Sequence, residues 1–244
     1  MKIKLSEHFT YHKLLRFVFP SIVMMIFTSI YGVVDGLFVS NYAGKTAFAA
    51  INLIMPFIMA LSALGFMVGT GGSAIVAKTL GEGKEKEANR YFSMLIYLTI
   101  FGGIVLSILG ILLARPVSIA LGASGYLLDY CTLYGRITFL SLTPFMLQNV
   151  FQCFFVTAEK PKLGLLVVVL AGVTNMVLDY LFIAVFGMGL VGAAIATVCS
   201  GLGVCVRSVT FIAIFSFHLP FSIKLFTIFY IRIYYNIIIQ SFQW

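Results

Sequence analysis

The sequence predicts an all-α integral membrane protein folded as a six-helix transmembrane bundle. Its mean hydropathy is +1.07, and 61% of the 244 residues are hydrophobic while only 10% are charged. Ordinary soluble domains carry roughly 25% charged residues. Apolar runs recur along the chain at about the length of 20 residues that a helix needs to cross a bilayer. Most soluble enzyme classes are therefore excluded, and we expect no enzymatic activity and no cofactor.

Six apolar runs are the candidate spans: about 17–40, 48–77, 91–113, 126–157, 164–186 and 189–214. The second and fourth are long, and each contains a proline, Pro56 or Pro144, that we expect to bend or break the helix. The basic opening of the chain resembles a signal peptide, but the apolar run that follows is too long, so we expect the first helix to be retained. The predicted regions are an N-terminal segment (1–16), the six-helix region (17–214) and a tail (215–244).

Basic residues outnumber acidic ones by 16 to 8, and their positions explain the excess without a nucleic-acid partner. The loops on the other side carry only Lys45 and Arg115. Because cytoplasmic loops are enriched in Lys and Arg, we expect a cytoplasmic N-terminus and a location in the cell (plasma) membrane. The ten basic residues on the predicted cytoplasmic side are Lys2, Lys4, Lys13, Arg16, Lys78, Lys84, Lys86, Arg90, Lys160 and Lys162.

The tail, residues 215–244, differs abruptly in composition from the rest of the chain. It has no Gly, Ala or Val, and Ile and Phe supply thirteen of its positions. Such residues are encoded by A+T-rich codons, so we expect an out-of-frame reading. The alternative is an interfacial or partial seventh span that carries Lys224 and Arg232.

Several glycine-rich or charged motifs have structural interpretations. GMGLVG at 187–192 has the spacing of a dinucleotide fingerprint, but a predicted span precedes it and no acidic residue follows Asp179, so we expect a tight turn. GTGGSA at 69–74 favours close helix packing. GEGKEKEANR at 81–90 predicts a solvated turn and a helix start.

Other candidate sites have weak support in the sequence. His8 and His12 could share a helix face but lack a third metal ligand, so a solvated helix is favoured. The four cysteines show no CxxC spacing and are expected to be small buried hydrophobes. Asp129 and Arg136, seven residues apart, predict a structural or interfacial pairing.

The most informative residues are two acids inside predicted spans, because a carboxylate at mid-bilayer costs about 2.5 to 3.5 kcal/mol on insertion scales. Asp35 and Asp179 should lie at a similar depth in the outer half of the membrane. Asn175 precedes Asp179 by one helical turn, and Thr197 falls at a comparable level. These oxygen ligands suit a hard cation, and the same acids could carry a proton. The alternative is that the two acids only bond to neighbouring helices.

Six segments, in order, resemble the first half of a multidrug and toxin extrusion (MATE) transporter of the bacterial type. The segments are FVFPSIVMM, VVDGLFVSNYAGKTAFAAINL, GFMVGTGGSAIVAKTLGEGKEKEANRYF, AEKPKLG, TNMVLDYLFI and GLVGAAIATV, spanning about residues 14–214. The resemblance implies one six-helix lobe of a twelve-helix antiporter that exports cationic, amphipathic compounds in exchange for Na⁺ or H⁺. The lobes of such transporters face each other across a central cavity.

The resemblance also implies roles for individual residues. The cation site would comprise Asp35, Asn175, Asp179 and Thr197, with Asp35 as the proton-sensitive group. Aromatic positions lining the same lobe match Tyr31 and Tyr134. Gln152 stands where some relatives have an Asn of the polar network.

The family has roughly twice this length, so the expected partners are drug-like substrates, membrane lipid, and a C-terminal lobe or a second copy of the chain. One alternative is a lipid-linked oligosaccharide flippase. Such a protein usually lines its cavity with several cations, whereas here only Arg136 and Arg207 lie near the spans. The other alternative is a membrane fragment that does not transport.

Overall fold

The computed structural model describes residues 11–215, with side chains described for residues 11–203 except Lys13. Every regular element in this part of the chain is helical, which confirms the all-α prediction. Residues 216–244 of the predicted tail, and His8, lie outside the described residues, whereas Phe215 ends the last described helix. The helices are α1 (Tyr11–Phe38), α2 (Lys45–Gly81), α3 (Glu85–Ala120), α4 (Gly125–Leu140), α5 (Leu142–Thr157), α6 (Pro161–Asp179) and α7 (Gly189–Phe215). Helices α1 and α6 continue as π-helical segments, Val39–Ala43 and Tyr180–Val185.

The helices follow the predicted order of membrane crossings. Four are individually long and apolar enough to span a bilayer, namely α1, α2, α3 and α6, with α1 and α6 counted together with their π-helical segments. Helices α4 and α5 meet at an angle of 53° and are together long and apolar enough to cross, which gives five candidate spans in the described part of the chain when the bent pair is counted as one. In the described residues, α7 begins with a shorter apolar stretch, Gly189–Gly203, at the position of the sixth predicted crossing.

The two prolines expected to disturb helices behave differently. The ring of Pro144 excludes a helical carbonyl four residues earlier, and α4 ends at that residue, Leu140. The break predicted in the fourth run is therefore confirmed. The second run is not broken, because α2 continues through Pro56 as one helix of 37 residues. A proline removes only one backbone hydrogen bond, and the packing of α2 against α3, α4 and α5 supports the helix on both sides of it.

Small residues allow α2 to approach its neighbours closely, as the glycine-rich motif predicts. A Cβ atom built on Gly69 would lie 3.1 Å from the Cα of Val150 in α5, and one on Gly72 would lie 2.5 Å from a methyl group of Leu95 in α3. The absence of side chains at these glycines lets α2 lie close to α3 and α5. It packs against α3, α4 and α5.

Helix α1 packs mainly along α6. The contact is close at Gly172, where an added Cβ would lie 2.6 Å from the ring of Phe27 and 3.1 Å from that of Tyr31. The π-helical segments that follow the two helices also touch each other. The Phe38 and Tyr180 rings meet edge to face with their centroids 6.4 Å apart. This pairing of α1 with α6 brings their two acidic residues together.

The predicted turns are confirmed. Gly83 has φ +76° in the turn between α2 and α3, where the Lys84 Nζ lies 2.9 Å from the Glu82 carboxylate. Gly187 and Gly189 have φ values of +66° and +55° between α6 and α7. Glycine adopts such positive φ values without a steric penalty, so both motifs are explained as turns.

The predicted pairing of Asp129 with Arg136 is wrong for the part of the chain that the structure describes. Both side chains are exposed on α4, and no ion pair joins them. The seven residues between Asp129 and Arg136 correspond to about 10.5 Å of helical rise, which is too far for a direct bond between the two side chains.

The cysteines are placed as free thiols. Cys131 and Cys199 are buried, and Cys153 is half-buried.

Candidate functional site

A cavity of about 380 Å³ lies between α1, α2, α4, α5, α6 and α7. Its wall is largely apolar, with aromatic and thioether side chains between polar ones. No Lys, Arg or His is found in its lining among the described residues. The larger apolar residues of the wall are Met55, Ile58, Met59, Leu142, Phe145 and Val168.

The two intramembrane acids predicted from the sequence meet at this cavity. Asp35 lines it, whereas Asp179 is completely buried behind the wall. Their carboxyl groups are close enough to interact electrostatically with each other. Among the described residues, however, Asp35 Oδ1 and both carboxylate oxygens of Asp179 have no hydrogen-bond donor. A buried carboxylate without a partner is costly, so the pair is suited to hold a cation or a proton.

Two further residues with side-chain oxygens, both predicted from the sequence, line the cavity near the acids. Asn175, one helical turn before Asp179, is 4% exposed, lines the cavity and has no hydrogen-bond partner in the described part of the chain. Thr197 also lines the cavity, and its hydroxyl donates to the carbonyl of Ala193 at 3.0 Å. That bond uses the proton of the hydroxyl and leaves a lone pair of its oxygen available. Helices α1, α6 and α7 therefore supply two carboxylates, one amide and one hydroxyl to the same region.

Two tyrosines flank the acid pair. Tyr134 is 2% exposed on α4, and electrostatic interactions connect its hydroxyl with Asp35 and Asp179. The same hydroxyl lies beside the Thr197 hydroxyl. Tyr31 lies one turn before Asp35 and interacts with its carboxylate. Both tyrosines line the cavity, so the polar group extends across α1, α4, α6 and α7.

The local backbone changes next to both acids. Asp179 is the last residue of α6 before the π-helical segment, and the π-helical segment after α1 begins four residues beyond Asp35. Short π-helical insertions are frequent at functional sites because they rotate the side chains that follow relative to a regular helix.

The remaining predicted residue, Gln152, is half-buried on α5 and does not line the cavity. Gln148, one turn earlier on the same helix, does line it, and sequence reasoning missed this residue. The available signal was its helical spacing: Tyr134, Thr138, Ser141, Phe145 and Gln148 follow one another at intervals of three or four residues, and all five line the cavity.

The described residues hold no group of three or more His, Cys, Asp and Glu side chains that could bind a metal ion. The candidate ligand set therefore consists of two carboxylates with neutral oxygens. Such a set suits a hard cation rather than a soft one.

Comparisons with known proteins agree with the architecture. A family profile described as MatE matches residues 20–181. The multidrug export protein MepA of Staphylococcus saprophyticus is 27% identical over 206 residues, which are 83% of this chain and 44% of that protein. MepA of Staphylococcus haemolyticus is 26% identical over 196 residues, covering 80% and 43% of the two chains.

Solved structures of MATE transporters share the fold of this chain. A MATE crystal structure in the bent conformation has a TM-score of 0.76 at 25% identity, covering 81% of this chain and 44% of that one. The outward-facing conformation of a multidrug resistance MATE family transporter of the MOP superfamily also has a TM-score of 0.76 at 25% identity, covering 85% and 47%. The chain thus spans less than half the length of the relatives it matches.

Proposed function

Because the chain belongs to the MatE family of membrane transporters, we propose that it serves secondary active efflux of cationic, amphipathic drugs or toxins coupled to the influx of Na⁺ or H⁺. In this proposal residues 17–214 form the N-terminal lobe. The lobe acts together with a C-terminal lobe or with a second copy of the chain. The relatives named multidrug export proteins support the substrate class. No enzymatic step and no cofactor are required.

The observation that carries the proposal is the acid pair at the cavity, with three carboxylate oxygens that lack a donor. At a separation of about 4 Å and an effective dielectric constant of about 20, two negative charges repel by about 4 kcal/mol. One Na⁺ or one proton between Asp35 and Asp179 removes this repulsion. Asn175 and Thr197 contribute neutral oxygens to a bound Na⁺.

The cavity also suits the exported compound. Apolar and aromatic walls accept an amphipathic molecule, and Asp35 presents negative charge to its cationic group. The compound and the coupling ion then neutralise the same carboxylate, so each lowers the affinity for the other. This negative coupling is reciprocal. Exchange of the compound for the coupling ion across the membrane requires such coupling.

A flippase for lipid-linked oligosaccharides is the less favoured function. A diphosphate would require cationic side chains, whereas the described cavity lining holds none and contains Asp35 instead. The polarity of the wall therefore favours a cationic substrate.

The chain is a multi-pass membrane protein, and the proposal places it in the cell membrane with a cytoplasmic N-terminus. A cysteine replacing exposed Glu82, between α2 and α3, should react with a maleimide reagent only from the cytoplasmic side. A cysteine replacing Ser124, between α3 and α4, should react from outside. The opposite labelling pattern would contradict this orientation.

The coupling is tested with radiolabelled tetraphenylphosphonium and the purified chain in lipid nanodiscs. We expect bound tetraphenylphosphonium to be displaced by Na⁺ or by acidification, and we expect Asp35→Asn to abolish both binding and displacement. Asp129→Asn is the matched control, because Asp129 is exposed and does not line the cavity. Equal binding and displacement in wild type and Asp35→Asn would refute the proposed role of Asp35.

A further inference from the structure

We propose that Gln148 forms a second, uncharged subsite in the cavity, which binds a neutral hydrogen-bonding group of the exported cation, such as an amide or carbonyl. The inference rests on the proposed function and narrows its substrate class. The preferred compounds would carry a neutral polar group about 10 Å from their positive charge, as estimated from helical rise.

The amide of Gln148 faces the cavity and has no protein partner. The residue is 9% exposed and lines the cavity, and no described residue forms a hydrogen bond with its side chain. A glutamine amide offers two donors and one acceptor. A ligand that fills the cavity and displaces water from this amide must replace the lost hydrogen bonds or bind more weakly, so the arrangement favours a ligand with a neutral polar group.

A second polar group lies on the same wall. Thr138 is 7% exposed and lines the cavity, and its Oγ1 forms no hydrogen bond within the described part of the chain, although it lies near the Tyr134 hydroxyl. Thr138 is in the last turn of α4, and Gln148 is in α5, so the break at Ser141 separates them. The Ser141 amide and hydroxyl both donate to the Thr138 carbonyl, at 3.0 Å and 2.8 Å. Broken membrane helices often form substrate sites because side chains on both sides of the break face a cavity.

Contacts between helices show how far Gln148 is from the acid pair. Helices α5 and α6 are antiparallel neighbours, with Phe155 against Gly164. Counting seven residues back along α5 and seven forward along α6 places Gln148 level with Ala171. Asp179 lies eight residues further along α6, which is a rise of about 12 Å.

Contacts of α1 with α6 give the same estimate of the depth of Gln148. Gly172 touches Phe27 and Tyr31, so Thr28 of α1 is level with Ala171 and Gln148. Asp35 lies seven residues beyond Thr28, a rise of about 10 Å. The cavity lining therefore includes a charged residue, Asp35, and an uncharged amide, Gln148, at different levels, together with apolar and neutral polar residues.

The test uses two triphenylphosphonium probes that differ only in the end of a flexible alkyl chain long enough to span about 10 Å. One chain ends in a primary amide and the other in a methyl group of similar size. Binding of both is measured to the full chain in nanodiscs. We expect Gln148→Met to weaken binding of the amide probe about three- to tenfold, the effect of losing one or two hydrogen bonds. Binding of the hydrocarbon probe should be unchanged, which also shows that the variant is folded.

Thr157→Val is the matched control. It removes a hydroxyl from the same helix, and Thr157 is half-buried but does not line the cavity. Neither probe should distinguish this variant from wild type. The inference is overturned if Gln148→Met leaves the amide probe unchanged, as a water molecule satisfying the side chain would predict. It is equally overturned if both probes weaken together, as a purely structural role would predict.

The same probes separate this inference from the proposed function. If wild type binds both probes and Asp35→Asn binds neither, the cation site is supported whatever Gln148→Met does. If wild type binds neither probe, the proposed function fails and the inference fails with it.

Discussion

Replacing Gly172 should weaken the cation site without altering any of its candidate ligands, because Gly172 lies where aromatic side chains of α1 pack closely against α6. A Cβ atom at this position would lie 2.6 Å from Phe27 Cε1 and 3.1 Å from Tyr31 Cδ1. Ordinary carbon contacts begin at about 3.5 Å, so Gly172→Ala is accommodated by rotation of the Phe27 ring, by separation of the two helices by up to about 1 Å, or by both. Because α1 packs mainly on α6, we expect α1 to move and to carry Asp35 away from Asp179.

The magnitude follows from electrostatics. At an effective dielectric constant of about 20, moving a carboxylate from about 4 to about 5 Å from a bound cation lowers their attraction by about 0.8 kcal/mol. The affinity for the coupling ion should therefore fall about three- to fourfold, and further in Gly172→Val. Overpacking by one methyl group should also destabilise the fold by about 1–3 kcal/mol, partly offset by the higher helix propensity of alanine.

Isothermal titration of the purified chain with NaCl, or proton uptake on acidification, measures the affinity, and thermal unfolding measures stability. Gly102→Ala is the control, because a Cβ atom at Gly102 meets nothing within 4 Å. A Gly172→Ala variant with unchanged cation affinity but lower thermal stability would refute the idea that the spacing of α1 and α6 tunes the site.

Two further predictions concern the bundle and its turns. Gly65→Ala should destabilise the fold by about 1–3 kcal/mol in thermal unfolding, because the new Cβ would lie 2.8 Å from the Cβ and 2.9 Å from the Cα of Met146. Gly71→Ala is the control and should not destabilise the fold, because a Cβ atom at Gly71 meets nothing within 4 Å. Equal effects of the two substitutions would contradict the packing argument. In the turn after α2, the hydrogen bond and charge of Lys84 lower the pKa of Glu82 from its ordinary 4.5. This pair therefore favours the folded state above the ordinary pKa of a glutamate and loses its effect as the pH falls through the lowered pKa. Lys84→Met should return the pKa of Glu82 towards 4.5 in an NMR titration, and an unchanged value would show that the ion pair does not form.

Hydropathy predicted the order of the helices, but their number only approximately and their ends not at all. The runs at 48–77 and 91–113 become α2 (Lys45–Gly81) and α3 (Glu85–Ala120), because helices continue past the apolar region until a turn ends them. Turn glycines with positive φ, such as Gly83 and Gly122, set those ends. Sequence alone could not show that Pro144 breaks a helix and Pro56 does not, because the effect of a proline on a helix depends on the packing around it.

The acid pair could be predicted in part. Counting residues along the spans predicted Asp35, Asp179 and Thr197 at a similar depth with Asn175 one turn away, and the family resemblance implied the same four residues. Depth alone does not say which way a side chain points, so the sequence could not show that Asp179 lies behind the cavity wall. Gln148 was missed for the same reason: its face of α5 becomes a cavity wall only when the other helices are in place.

The most direct test of the central claim is the binding stoichiometry of the coupling ion in the purified chain. Binding of radiolabelled Na⁺ and proton uptake should together show one monovalent ion held per chain. Asp179→Asn should abolish that binding, although Asp179 does not touch the cavity, and Asp129→Asn should leave it intact. If Asp35→Asn/Asp179→Asn binds as much Na⁺ and takes up as many protons as wild type, the carboxylate pair is not the ion site and the account is contradicted.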